Sequence, residues 1–343
     1  MKKIDFLSIG DTVIDAFIKL KKADIIGEPD TDGYKIAIPF AEKVEYEDVV
    51  VVPAVGNAAN ASISAARLGL PTAIVTNLGD DRDGEDCLAE LKRNNVDTRF
   101  VKINKGKKTN YHYVLWYGAE RTILIKHQNY EYEMPEVGSP GWIYFSSVNE
   151  TAFPFHYQIA DYLDAHPEVN FAFQPGKFEI KMGKEKLARF YKRAKIFFCN
   201  VEEAERILGT KSIGERRDKP TGGVKELLLK MRELGPEIVV ITDGPKGAYA
   251  YDGKDFLFMP PYPDPKPPYS RTGAGDAFAS TTVAAMALGK SLAESLAWAG
   301  INAMAVVQKV GASVGLLTRA ELEEYLAQAP ADYKARKNGS YVP

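Results

Sequence analysis

The sequence predicts an α/β fold: a doubly wound, mostly parallel sheet flanked by helices, with a small β-sheet set apart from it as a lid. Three observations carry that expectation. Four apolar runs, GWIYFSSVNE, NFAFQPG, AKIFFCNVEEAERILG and PEIVVITDGPKGAYAYDG, end in polar or glycine residues and are mostly separated by helical stretches, as strands covered on both faces are. Two further stretches, YKIAIPFAEKVEYEDVVVVP and YHYVLWYGAERTILIKHQ, are strand-like with no helix inside them, which suits a separate sheet. Finally, Gly273-Ala274-Gly275 opens a helical run of small and apolar residues and places Asp276 in its first turn.

Composition sets the bounds. With 343 residues, 45% of them hydrophobic and 26% charged, the chain can bury one large α/β unit with an appendage. A net charge of -2 gives no reason to expect nucleic acid or an anionic membrane as partner. The two cysteines, Cys87 and Cys199, lack metal or CxxC spacing, so both are expected to be reduced thiols. MKKIDFLSIGDTVIDAF meets Asp5 before any apolar stretch of signal-peptide length. No run approaches the roughly 20 apolar residues that span a bilayer, and the expected setting is the cytoplasm.

Taken in order, Lys3 to Ile9 is a buried first strand turning at Gly10-Asp11. Asp11 and Asp15 follow where open α/β sheets gather ligands, at a strand's carboxyl end. They suit either a polar substrate or, as a turn residue and a solvated one, no ligand at all. The lid is expected from about residues 14–53 and 109–130, with Pro53 restricting its strand to a sheet edge. Between the lid segments, AVGNAANASISAARLGL is a helix of small residues stopped at Gly69. Asn57 and Asn60, one turn apart on it, offer amides suited to hydroxyl groups beside Gly56. The acidic loop from Asp80 is not a calcium site, because Gly79 falls at the first ligand position; it reads as a capped helix start.

Later strands bring Glu150, then Asn200 with Glu203 three residues on, a spacing that also suits simple helix capping. Thr242, Gly244 and Gly247 cluster at the fourth strand end. Past Ala329 the chain is polar and expected to fray. The four histidines have no metal spacing; only His127, at the end of the lid segment, has a case for touching substrate. The bare amides of a helix start bind anions. A carboxylate there repels phosphate unless it takes a proton from whatever attacks the phosphate. The plainer account of Asp276 is a helix-start acid favoured by the dipole.

GAGD, the Asn-Ala-Ala-Asn segment, the Asn200/Glu203 pair and the TDG turn occur in an order that resembles the PfkB, or ribokinase-like, family of carbohydrate and nucleoside kinases, over nearly the whole chain. The resemblance implies a ribokinase-like fold and an ATP- and Mg²⁺-dependent transfer to a primary hydroxyl of a sugar such as ribose or fructose. A nucleoside (adenosine, inosine or cytidine) is the alternative acceptor, and a non-catalytic sugar sensor on the same scaffold the more distant one. Asp276 would be the base, with Gly273, Ala274 and Gly275 forming the anion hole. Asp11, Asp15, Gly56, Asn57, Asn60 and Glu150 would meet the acceptor. Asn200, Thr242, Gly244, Gly247, Arg271 and Asn302 would meet the nucleotide, Asn302 bordering the adenine, and Glu203 would reach the metal through water. Ser270 stands where many relatives have an Asp tied to a monovalent cation, which puts potassium activation in doubt. The lid suggests a homodimer, and Tyr34, Ile36, Tyr111, Tyr113 and Lys126 on it are candidate specificity residues.

Overall fold

A computed structural model describes residues 3–27, 34–118, 120–210 and 222–337. Its centre is a sheet of ten strands. In chain order these are β1 (Phe6–Ile9), β6 (Thr72–Gly79), β7 (Val101–Asn104), β10 (Trp142–Phe145), β11 (Asn170–Phe173), β12 (Ile196–Asn200), β13 (Ile238–Thr242), β14 (Ala248–Tyr251), β15 (Phe256–Met259) and β16 (Arg336–Lys337). Across the sheet the order is β16-β15-β14-β13-β12-β11-β10-β1-β6-β7. Strands from β7 through β13 run parallel, and β14 to β16 antiparallel. The four apolar runs thus lie side by side, with one difference: the fourth is two strands. Gly244–Lys246 forms a tight 3-10 turn that reverses the chain, so β14 folds back on β13.

Successive residues of each central strand enter opposite cores, which is why these runs show no polar alternation. Ile143, Phe145, Phe171, Phe173 and Phe197 pack on one side. Trp142, Tyr144, Ala172, Ile196 and Phe198 pack on the other, against Phe278, Val283, Leu296 and Trp298. The first core is closed by helices that include α3 (Phe153–Ala165), α5 (Ala188–Arg193), α6 (Val201–Leu208) and α7 (Gly222–Glu233). The second is closed chiefly by α1 (Asn57–Arg67), α8 (Ala274–Ala287), α9 (Leu292–Val307) and α10 (Arg319–Ala327). Helix α2 (Arg82–Arg93) is capped by Asp81, whose carboxylate accepts from the Gly84 amide at 3.0 Å, the capped start expected of that acidic loop.

The lid is a four-stranded sheet in the order β5 (Tyr46–Val55), β2 (Val13–Leu20), β8 (Asn110–Tyr117), β9 (Glu120–Leu124). The expected hairpin is β8–β9; its turn residue Ala119 lies outside the described residues, as do Gly33 and the rest of 28–33. Pro53 sits in β5, at the sheet edge where a missing amide donor costs no ladder bond. Short strands β3 (Asp24–Ile26) and β4 (Lys35–Ala37) pair apart from it.

Register decides what the lid shows to the body. Asp15 pairs with Val52 and His112, Phe17 with Val114, Val114 with Ile123 and Trp116 with Arg121. With alternate residues on opposite faces, Asp15, His112, Arg121 and Ile123 share the inner face. Tyr111, Tyr113, Val49, Val51 and Leu124 share the outer one. Tyr111 and Tyr113, expected as specificity residues, therefore line no part of the main cavity, and His112 between them does.

The tail departs from expectation. The Tyr333 hydroxyl donates to the Ala297 carbonyl at 2.6 Å with the ring buried, and β16 adds to the sheet edge. The chain is held through Lys337; residues 338–343 lie outside the described residues.

Candidate active site

Helix α8 begins at Gly273, whose φ of +82° is a left-handed conformation open to glycine at little cost. A Cβ there would also stand 2.5 Å from the Ala312 Cβ, whereas one on Gly275 would meet nothing within 4 Å. The nest thus needs Gly273 for its shape, and Gly275 leaves its amide open to a ligand. In the first turn Asp276 projects into a cavity of about 770 Å³. Its Oδ2 accepts from Asn60 Nδ2 at 2.9 Å and its Oδ1 from Gln174 Nε2 at 3.1 Å. Gln174 is itself anchored, its Oε1 accepting from the Tyr144 hydroxyl. Burial pushes the Asp276 carboxyl above the usual carboxylate range; Asn60, Gln174 and the Arg121 charge oppose that, and Asp15 reinforces it. A carboxylate held by two neutral amide donors and raised by its surroundings is what a proton acceptor needs.

The cavity brings together Asp11, Asp15, Gly56, Asn57, Asn60, Asn200, Glu203, Thr242, Gly244, Arg271, Gly273, Gly275 and Asp276. Asn60, expected to bind acceptor hydroxyls, donates to Asp276 through Nδ2, and its Oδ1 is buried without a partner among the described residues. Asp11 faces the cavity with its carboxylate committed to the protein. Its Oδ1 accepts from the Tyr132 hydroxyl at 2.8 Å, and its Oδ2 from the Asn149 amide and His127 Nδ1, both at 2.9 Å. His127 Nε2 lies 3.3 Å from His112 Nε2, and His112 Nδ1 3.3 Å from Asp15 Oδ1. Body and lid are joined through this string of four titratable groups. His127, the one histidine with a case for touching substrate, lines the cavity, and so does His112, which the sequence did not single out.

Asn200 and Glu203 close a reciprocal capping box on α6 at 2.8 and 2.9 Å. Glu203 also lines the cavity, its carboxyl raised by burial first and by Asp276 as well. The pair thus forms the helix cap that the spacing suits, and both residues line the cavity. Arg271 reaches across to the lid, 3.5 Å from Glu120. Ser270 turns inward, donating to the Thr272 hydroxyl at 3.0 Å.

A second cavity of about 250 Å³ adjoins the first, sharing Thr242, Gly244, Pro245, Arg271 and Gly275 with it. Gly247, Met259, Tyr262, Ala274, Phe278 and Met304 complete a mostly apolar slot. Two expected site residues are elsewhere. Glu150 pairs with Lys181 at 3.0 Å on the surface and lines neither cavity. Asn302 is fully buried as a strut: it donates to Thr281 Oγ1 at 2.8 Å and accepts from the Leu317 amide at 2.9 Å. Its helix is apolar on every side, which makes a buried polar residue a packing element before a ligand.

Four cavity residues carried no motif: Gln174, Arg121, Lys177 and Lys246. Gln174 alone had a signal, as the first polar residue after an apolar strand. Among the described residues no group of three or more His, Cys, Asp and Glu side chains is placed to hold a metal, and no helix is long and apolar enough to cross a membrane.

The chain as a whole is similar to known proteins. A ribokinase of Bacillus subtilis is 26% identical, with 79% of this chain and 87% of the relative covered. A 5-dehydro-2-deoxygluconokinase of Bacillus licheniformis is 25% identical over 79% and 86%. The structure of a Cryptococcus neoformans ribokinase in complex with ADP superposes with a TM-score of 0.75 at 22% identity, covering 94% of this chain and 99% of that one, and so shares the fold. The profile of the pfkB family carbohydrate kinases matches residues 20–319, and with its ribokinase fold this chain belongs to that family as a sugar kinase.

Proposed function

We propose that the protein transfers the γ-phosphoryl group of ATP to a primary hydroxyl of a sugar in the 770 Å³ cavity. The observation that carries this is Asp276, a raised carboxylate fixed by Asn60 and Gln174 beside the open α8 amides. Asp276 takes the acceptor's proton as the acceptor oxygen bonds to phosphorus and the bond to the ADP oxygen breaks. The amides of Ala274 and Gly275 face the charge that develops on the transferred group, where fixed donors are most effective. Arg271 and Lys246 line the same cavity.

The apolar slot, with Met259, Phe278 and Met304 around it, suits a purine, and the shared Thr242–Gly244 turn suits its phosphates. Magnesium fits only through water and nucleotide oxygens, with Glu203 one of the carboxylates lining the cavity, since no three-ligand group exists among the described residues. Bound there, it would neutralise phosphate charge. The inward turn of Ser270 leaves potassium activation without a carboxylate ligand at that position. The buried thiols Cys87 and Cys199 accord with a cytoplasmic enzyme.

A coupled ADP assay across ribose, fructose, adenosine, inosine and cytidine tests the reading. ADP above background with none of them would refute it. A nucleoside acceptor is the second reading, favoured by Ile123, Ile125 and Phe178 on the cavity wall; a preference for adenosine over ribose selects it. The exposed outer lid face, with Val49, Val51, Tyr113 and Leu124, supports a homodimer through the lid. Sedimentation of Val51→Asp as monomer and of the parent as dimer is the expected outcome.

A further inference from the structure

Two histidines of the main cavity take no part in the phosphoryl transfer. His112, on the inner face of β8, and His127, in the loop after β9, are 15 residues apart, and the fold alone brings their Nε2 atoms to 3.3 Å. Each turns its other nitrogen to a carboxylate. His127 Nδ1 lies 2.9 Å from Asp11 Oδ2, and His112 Nδ1 lies 3.3 Å from Asp15 Oδ1. All four side chains are at most 12% exposed. A carboxylate at Nδ1 favours the proton there, which leaves the lone pair of a neutral ring on Nε2. Two lone pairs then face each other across 3.3 Å. Such a pair is at rest only with positive charge between the rings, either a proton or a metal ion.

The geometry favours the metal. Two bonds of about 2.0–2.1 Å meeting at a tetrahedral angle set their nitrogens about 3.3 Å apart, whereas a direct hydrogen bond draws its two heavy atoms to about 3 Å. The ring centroids are 5.2 Å apart with their planes inclined at 42°, closer than two rings in line would stand at that nitrogen separation. Phe178 meets His127 edge-on at 5.4 Å and fixes its tilt. Charge agrees with geometry, because two carboxylates beside two neutral rings leave two negative charges for a divalent ion to cancel. Asp11 orients a ligand and does not become one: it already accepts from the Tyr132 hydroxyl and the Asn149 amide as well as from His127. Imidazole nitrogens suit zinc, copper or nickel, while magnesium keeps to oxygen.

We infer that a divalent ion of the zinc class binds between His112 Nε2 and His127 Nε2, at the lid side of the main cavity. Two protein nitrogens are fewer than the three-ligand groups absent among the described residues, so the ion keeps positions open to water on the cavity side that both rings line. This site stands without the kinase reading; its consequence rests on that reading. An ion beside Asp11 and Asp15 fills space the acceptor needs, so zinc is an inhibitor that competes with the acceptor.

The test begins with calorimetric titration of the metal-free protein with zinc, in the absence of nucleotide. One bound ion that a large excess of magnesium leaves in place is expected, and cobalt in place of zinc should give the visible absorption of a tetrahedral site. His112→Gln and His127→Gln should each abolish binding of that ion. Asp15→Asn keeps both ligands and should weaken it about 10- to 100-fold; with the parent's cobalt spectrum it carries the test if a histidine variant fails to fold. The inference falls if zinc does not bind the parent, which leaves a proton between the rings, or if both glutamine variants bind it as the parent does, which puts the ion elsewhere. In ADP formation, zinc should raise the acceptor KM of the parent and leave that of His127→Gln unmoved. Inhibition that survives His127→Gln, or that is relieved by ATP and not by the acceptor, overturns the consequence. If no acceptor yields ADP, the kinase reading fails and the zinc titration still decides the site.

Discussion

The floor and the roof of the site are built on different principles. The floor, from α8, the β11 end and the β13 turn, draws Gly273, Asp276, Gln174 and Thr242 from rigid elements packed in two large cores. The roof is a four-stranded sheet whose own core is small, chiefly Val13, Phe17, Val52, Val55 and Val114. Chemistry needs atoms fixed to a fraction of an ångström, and recognition has to admit and enclose a ligand. The division teaches that losses on the floor should appear in kcat and losses on the roof in KM.

The sharpest break of that contrast is Asp276→Asn, with an expected fall in kcat on the order of 10²–10⁴ while the acceptor still binds by calorimetry. A kcat within twofold of the parent would remove Asp276 as base. Next in size is Gly273→Ala, where a positive φ and the approach to Ala312 should cost on the order of 1–3 kcal/mol. The expected readout is a lower melting temperature together with lost turnover. Gly275→Ala, with open space around its Cβ position, should keep the melting temperature and lose rate only. Equal melting temperatures for the two variants would contradict the packing account.

A smaller effect reads the field around the base. Because the Asp276 carboxyl lies above the ordinary range, kcat/KM should fall as pH drops through that raised value and level off above it. Gln174→Ala removes a donor that favours the charged form, so the acid limb should move to higher pH. An unmoved or lowered limb would show that Gln174 does not act through Asp276. Smallest of all is the Arg271–Glu120 contact between floor and roof. Exposed and 3.5 Å long, it should be worth at most about 1 kcal/mol and fade with salt. Glu120→Gln should therefore change KM less than threefold.

The same division governs what could be read from the sequence. Asn57, Asn60, Asn200, Glu203, Thr242, Gly273, Gly275 and Asp276 lie in short segments where spacing alone fixes a helix start or strand end, and all of them line the cavity. Parallel strands declared themselves because burial on both faces leaves unbroken apolar runs. The roof was hidden by arithmetic of another kind. His112 and Tyr111 differ by one position and face opposite ways, and only the pairing of β8 with β2 and β9 says which is inside. Gln174 and Asp276 are 102 residues apart, and nothing local announces their contact. Asn302 entered through the family resemblance alone, and nothing local could show that it is buried in an apolar stretch of its helix, where it ties Thr281 to Leu317.

One dipeptide touches both halves. Ala312 closes on Gly273, and its neighbour Gly311 backs onto the lid, where an added Cβ would lie 3.1 Å from Val52 Cγ2. Val310 before them packs into the lid core. These residues act as a shim, whose thickness sets the gap between roof and nest. A methyl group at position 311 would wedge the two apart without touching substrate, base or phosphate site. In a protein whose chemical groups are spread over most of the chain, the fit of roof to floor thus depends on two small buried residues.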